Sequence, residues 1–190
     1  MTSTVYALDA CALIAALNGE PGAGMVKDLL TACEAHEIII YMSAAQVLEV
    51  YYDRIYMVGQ ELADVFLADF FDTAIIVEHY FSVPEIAQAG YYKTTYDLSF
   101  ADACCLAAAA GKTAALITSD HSEFDPVEQA EHFPFLWIRP KPEPKKPKEP
   151  LRMRLADAEK RAKEAGRALA EAKLRIAGLE ATLSAFMKQS

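Results

Sequence analysis

Short apolar runs alternate with longer stretches of helical period across residues 4 to 138. The runs Thr4–Leu8, Ile38–Met42, Ala74–Glu78, Ala114–Ile117 and Phe135–Ile138 are too short for helices and suit buried strands. Between them the periodicity predicts helices at about 10–18, 22–35, 44–58, 60–71, 83–94, 99–111 and 123–131. This rhythm predicts an α/β fold, a parallel sheet flanked by helices. Gly19, Gly22 and Gly24 read as turn residues between the first two helices.

A different pattern begins after residue 139. The run from Pro140 to Pro150 holds five of the nine prolines, together with four lysines. Proline lacks a backbone donor and restricts the residue before it, so the segment predicts an extended linker. At roughly 3.1 Å per residue it spans about 30 Å. From Leu155 onward apolar positions recur at alternating spacings of 3 and 4, a heptad pattern. Leu155, Ala162, Leu169, Ile176 and Leu183 fill position a, and Ala158, Ala165, Ala172, Leu179 and Phe186 fill position d. Favourably ordered pairs such as Asp157 with Arg161 and Glu171 with Arg175 support a helix, and Gly166 weakens it. Such a seam has nothing to bury alone, so residues 151–190 are expected to self-associate or dock on a partner helix. The organisation read from the chain is a domain at 1–139, a Pro/Lys-rich linker at 140–150 and a coiled-coil-like helix at 151–190.

Charge reinforces the division. The net charge of −9 conceals a body, residues 1–139, with 20 acidic and 5 basic residues, and an arm, residues 140–190, with 7 acidic and 13 basic ones. A body at −15 repels nucleic acid at long range, so a phosphate substrate would need metal ions, the basic arm or a basic partner to dock. Basic residues beside a heptad seam also simply solvate it. No apolar stretch approaches the roughly 18–20 residues that span a bilayer, and the N-terminus lacks a signal-peptide pattern, so a cytoplasmic protein with no membrane partner is expected. Cys11, Cys33, Cys104 and Cys105 form no C-x-x-C and read as free, buried thiols. The four histidines show no metal spacing, although His121 directly follows an aspartate. Phosphate-binding glycine motifs are absent, which removes support for an NTPase or a dinucleotide enzyme.

Four acids stand where the predicted fold delivers side chains to one edge of the sheet. Asp9 and Asp120 follow predicted strands at their carboxyl ends, the edge where open parallel sheets bind ligands. Glu49 lies about two turns into one predicted helix, and Asp102 lies in the first turn of another. Each has a local explanation. Asp9 can be a helix N-cap, Glu49 can belong to a narrow polar face with Gln46 and Asp53, Asp102 can close a capping box with Ser99, and Asp120 can cap a loop. These explanations leave the joint placement unaccounted for. Clustered carboxylates raise one another's pKa and call for neutralisation, which Mg²⁺ or Mn²⁺ supplies with hard oxygen ligands. Phosphodiester hydrolysis is the reaction that best uses such a site.

Four segments carry a resemblance: Leu-Asp-Ala-Cys-Ala-Leu-Ile-Ala at 8–15, Ser-Ala-Ala-Gln-Val-Leu-Glu-Val-Tyr-Tyr at 43–52, Leu-Ser-Phe-Ala-Asp-Ala at 98–103 and Ile-Thr-Ser-Asp-His-Ser-Glu-Phe at 117–124. In this order and spacing they resemble the PIN-domain ribonucleases, especially the VapC-type toxins of bacterial toxin–antitoxin pairs, over residues 4–138. The resemblance implies a parallel sheet with an acidic site, Mg²⁺- or Mn²⁺-dependent endoribonuclease activity on RNA, a cognate antitoxin and homo-oligomers. It casts Asp9 and Asp102 as metal ligands, Glu49 and Asp120 as completing the site, and Ser99 and Thr118 as supporting hydroxyls. The linker and heptad arm lie outside the usual family pattern. The competing reading is a catalytically weak interaction protein on the same fold that recruits partners through its arm. A phosphatase-like Mg²⁺ hydrolase would typically show a D-x-D setting, where this chain has Asp9-Ala-Cys11.

Overall fold

The computed structural model describes residues 4–141, 160 and 162–170. Its elements follow the alternation of the sequence: β1 (Thr4–Leu8), α1 (Ala10–Asn18), α2 (Ala23–Glu34), β2 (Ile38–Ser43), α3 (Ala44–Val58), α4 (Gln60–Phe71), β3 (Ile76–Glu78), α5 (Val83–Tyr96), α6 (Phe100–Gly111), β4 (Ala115–Thr118), α7 (His121–Glu131) and β5 (Phe135–Trp137). The strands form one five-stranded sheet in the order β3-β2-β1-β4-β5, with every neighbouring pair parallel. The chain winds outward from β1 through β2 to β3, then crosses to β4 on the other side. The topological switch point therefore falls between β1 and β4, where the carboxyl ends of adjacent strands open a crevice.

Successive strand residues face opposite sides of the sheet and build a core on each. Leu8 and Ile117 pack with Leu13, Val26, Ile40, Met42, Val47 and Phe70 beneath α1 to α4. Their neighbours Ala7 and Leu116 pack with Leu98, Leu106, Phe124 and Val127 beneath α5 to α7. The alanine-rich face of α6, with Ala103, Ala107 and Ala109 all buried, lets that helix approach the sheet closely.

Two of the three glycines read as turn residues have positive φ. Gly19 ends α1 at φ 68, and Gly22 precedes α2 at φ 95, where a Cβ would meet the carbonyl oxygen of Ile138 at 2.5 Å. Gly24 lies inside α2 with open space where a Cβ would stand, so it has no such requirement. All four cysteines are free, as their spacing suggested, and three are buried, whereas Cys11 is only half-buried.

Residues Met1–Pro142 form one compact unit and Glu143–Ser190 a second. In the second unit, residues 162–170 are helical and exposed, within the predicted heptad segment. The linker beyond Lys141 and most of the heptad seam lie outside the described residues. No helix among the described residues is long and apolar enough to cross a membrane.

Candidate functional site

Asp9 occupies the N-cap position of α1, yet its side chain makes no capping hydrogen bond. Thr118 Oγ1 donates to Asp9 Oδ2 at 2.6 Å, and Cys11 Sγ donates to the same oxygen at 2.8 Å. The capping explanation for Asp9 therefore fails. At 2% exposure the carboxylate is taken almost wholly out of water. Burial foremost, then the charge of Asp102 and more weakly that of Glu49, pushes its carboxyl up to about 7, against the opposing pull of Cys11 and Thr118.

Asp102 sits in the first turn of α6, whose N-cap is Ser99. Ser99 Oγ accepts from the Asp102 N–H at 3.1 Å and donates to Asp102 Oδ2 at 2.5 Å. A closed capping box would direct the Asp102 carboxylate to the Ser99 N–H. That N–H instead donates to Glu123 Oε2 at 3.2 Å, so Asp102 is released from half of the capping role. Gln46 Nε2 donates to its other oxygen, Oδ1, at 3.4 Å. Burial raises the Asp102 carboxyl, Ser99 and Gln46 oppose the rise, and Asp120 adds to it.

Glu49 is half-buried on α3 and accepts from Tyr52 Oη at 3.2 Å. Its carboxyl is raised by burial first and then by Asp102, with Asp120 a smaller contributor. The polar face it was read to share with Gln46 is not a surface feature, because Gln46 is 0% exposed. Asp120 does cap α7. Its Oδ1 accepts from the Ser122 and Glu123 N–H groups at 2.9 and 3.2 Å, and from Ser122 Oγ. All three contacts fall on one oxygen, so capping does not exhaust the carboxylate.

The structure thus brings Asp9, Glu49, Asp102 and Asp120 into mutual electrostatic influence at the switch point, delivered by β1, α3, α6 and the β4–α7 turn. Thr118, fully buried at the end of β4, joins two of them: it donates to Asp9 and accepts from the Asp120 N–H at 3.0 Å. Thr118→Val keeps the shape and removes the hydroxyl. It should cost about 1–3 kcal/mol of stability in a denaturant titration, because the Asp120 N–H is left without its acceptor. A loss indistinguishable from zero would show that Thr118 only fills space.

Sequence reasoning missed three participants. Glu123 receives the Ser99 N–H, and its carboxyl is raised by burial and by the charges of Asp102, Asp120 and Asp97. The predicted helix began at 123, whereas α7 begins at His121, which places Glu123 in the first turn beside Asp120. Gln46, three residues before Glu49 on the same helix, shares its face, and that spacing was a usable signal. Cys11 is more than a core thiol: besides donating to Asp9 it accepts from the Ser119 N–H and Oγ, both at 3.2 Å. Burial, foremost, and the adjacent Asp9 raise its pKa far above the ordinary thiol value, which leaves it a neutral donor. His121 lies flat against Trp137, 3.9 Å between ring centres, and pairs with Asp125 at 2.7 Å, so it supports the start of α7.

The ion pairs among the described residues involve Asp53, Glu78, Asp125 and Glu20, and none involves the four clustered acids. Nor do three or more acidic, His or Cys side chains among the described residues converge into a ready-made metal cage. The donor set still fits one cation type. Mg²⁺ and Mn²⁺ favour carboxylate oxygen, and Mg²⁺ usually binds through one or two carboxylates with retained waters and substrate phosphate rather than a full protein cage. Asp9 and Asp102 could hold such an ion. An apolar cleft of about 240 Å³ lined by Phe81, Ile86, Phe100 and Cys104 has no carboxylate in its lining and is separate from this chemistry.

A search of the curated proteins finds no match. Solved structures of toxin–antitoxin systems share the fold. A chain of the Rickettsia felis VapBC2 structure, bound to a promoter DNA fragment, aligns with TM-score 0.55 and 19% identity over 70% of this chain and 98% of its own. A chain of VapBC-1 from nontypeable Haemophilus influenzae aligns with TM-score 0.54 and 18% identity over 71% and 98%. VapC20 of Mycobacterium tuberculosis, described as a sarcin-ricin loop cleaving toxin, aligns with TM-score 0.52 and 23% identity over 72% and 100%. The PIN domain family model matches residues 6–128, which span β1 to α7 and include all four clustered acids, and the chain belongs to that family.

Proposed function

We propose that this protein is a Mg²⁺- or Mn²⁺-dependent endoribonuclease that hydrolyses RNA phosphodiester bonds and serves as the toxin of a type II toxin–antitoxin pair. The observation that carries the reading is the buried Asp9 carboxylate, which makes no capping bond to its helix, lies under the charge of Asp102 and Glu49, and is paired with no cation among the described residues. A divalent cation, when bound, supplies the missing positive charge, polarises a phosphate oxygen and acidifies a water nucleophile. Asp9 and Asp102 hold the ion in this reading. Glu49 and Asp120 complete the site and orient the attacking water. Thr118 and Ser99 fix the carboxylates through the hydrogen bonds already described. The toxin structures that share the fold support RNA as substrate and an antitoxin as partner.

A protein partner is also supported by the surface of α3, where Leu48, Tyr52 and Tyr56, spaced by four residues, are 61%, 45% and 84% exposed. That stripe equally suits the alternative, a weakly catalytic interaction protein. Incubation of the pure protein with mixed RNA and Mg²⁺, then with EDTA, separates the two. Cleavage that EDTA abolishes is the expected result, and intact RNA with either metal would favour the interaction protein.

The C-terminal segment is proposed to control assembly, as a homo-oligomer through its heptad helix. A chain ending at Pro142 keeps the whole first unit, every strand among the described residues and all four acids. It should cleave a short RNA at an unchanged rate per site while light scattering reports a smaller particle. Unchanged mass together with a large, steeply salt-dependent loss of RNA affinity would show instead that the arm grips nucleic acid.

A further inference from the structure

Gln46 hydrogen-bonds both the first residue of α1 and Asp102. Its Oε1 accepts from the Ala10 N–H at 2.7 Å, and its Nε2 donates to Asp102 Oδ1 at 3.4 Å. It is 0% exposed, and its own backbone N–H is fixed by Ser43 Oγ at 3.3 Å, the N-cap of α3. The Ala10 N–H belongs to the first residue of α1, one of the backbone donors that a helix leaves without an internal partner. Gln46 supplies an acceptor there, while the Asp9 carboxylate makes no capping hydrogen bond to the backbone of its own helix. With the amide oxygen committed to Ala10, only the amine end can face Asp102, so the orientation of the group follows from its partners.

The residue type matters. Lysine would neutralise Asp102 and compete with a cation for it. Glutamate would set a further negative charge against Asp102, and an apolar side chain would leave the buried Ala10 N–H unpaired. Glutamine alone among these serves an acceptor on one side and a donor on the other without adding charge.

We propose that Gln46 is a positioning residue: its amide fixes the start of α1 against the Asp102 carboxylate, so that Asp9 and Asp102 accept one divalent cation together. This rests on the metal-site reading above. Gln46 reaches no reacting atom and acts through the two carboxylates.

The test measures Mn²⁺ binding by electron paramagnetic resonance, without RNA, on the full-length wild type, Gln46→Met, Gln46→Asn and Val47→Ala. Gln46→Met keeps the length of the side chain and removes both polar ends, whereas Gln46→Asn keeps an amide too short to serve both partners. Each should weaken Mn²⁺ affinity by about 10-fold to 100-fold, the range for groups that orient metal ligands. Val47→Ala loosens the same helix at a buried core position, and it should lower the melting temperature with Mn²⁺ affinity unchanged. If Gln46→Met does not fold, Gln46→Asn carries the measurement. Wild-type affinity in a folded Gln46 variant overturns the proposal while leaving the metal site intact, as does an equal loss in Val47→Ala. A wild type that binds no Mn²⁺ overturns the metal reading and this one with it.

Discussion

Asp102→Asn is expected to reduce RNA cleavage by more than about 100-fold, since even groups that only orient metal ligands are worth 10-fold to 100-fold. The folded state should survive the change. Asp102 is drawn into mutual repulsion with Asp9 and Glu49, and burial already raises its carboxyl, so removing the charge relieves the metal-free protein. Its contacts with Ser99 and Gln46 are weaker constraints. The Ser99 hydroxyl can still donate to the amide oxygen, and the Asp102 backbone N–H that Ser99 accepts is untouched. A circular dichroism melt and a cleavage assay on one preparation check both halves. A variant that cleaves at the wild-type rate sinks the assignment of Asp102. One that is inactive only because it has unfolded returns Asp102 to the role of a helix cap.

The layout behind this prediction was largely visible in the sequence, for a physical reason. Parallel strands buried on both faces are short, continuous apolar runs, and the helices between them keep their period, so the elements separate cleanly. Helices α1, α3 and α4 begin and end where the periodicity places them. The short edge strands were harder. Ile76–Glu78 is two residues shorter than the apolar run that predicted it, because hydrophobicity marks what is buried and does not mark where ladder pairing stops. At the site, Asp9, Asp102 and Asp120 could be placed at one edge because a strand end and a first helical turn are positions that topology fixes, and Glu49, in the second turn of α3, is close enough to that edge to join them. The partners that set their chemistry could not. Whether Asp9 caps its helix or turns inward depends on Thr118, a residue 109 positions away, and on the Gln46 amide that serves the Ala10 N–H. Likewise Glu123 entered the site only because α7 starts two residues earlier than its polarity suggested.

The metal-free protein should lose stability as the pH rises from about 4 to 8. Asp9 in the folded chain keeps its proton up to about 7, whereas in the unfolded chain it gives the proton up near 3.8. Between those values the folded state binds more protons than the unfolded one, so stability falls with rising pH, and above the folded value the full penalty remains. For this buried group the difference corresponds to about 4 kcal/mol. Asp102, Glu49 and Glu123 are shifted in the same direction and add to the fall. Asp125 works oppositely: burial raises it, but Lys141 and His121 more than offset that and hold its carboxyl below the ordinary value. The stability it contributes is present above its unfolded value and is lost only in stronger acid. A maximum near pH 4 follows, in contrast to the plateau toward neutrality of a protein whose carboxylates are all paired. Millimolar Mn²⁺ should lift the alkaline limb, because a cation that binds only the folded state stabilises it by mass action and takes the place of the retained proton. Asp9→Asn should lift the same limb without metal. Urea titrations at pH 5 and pH 8, in EDTA and in Mn²⁺, measure all four corners. Equal stability at the two pH values in EDTA would mean that the Asp9 carboxylate is already neutralised from within the protein, and the argument for an external cation would fail there.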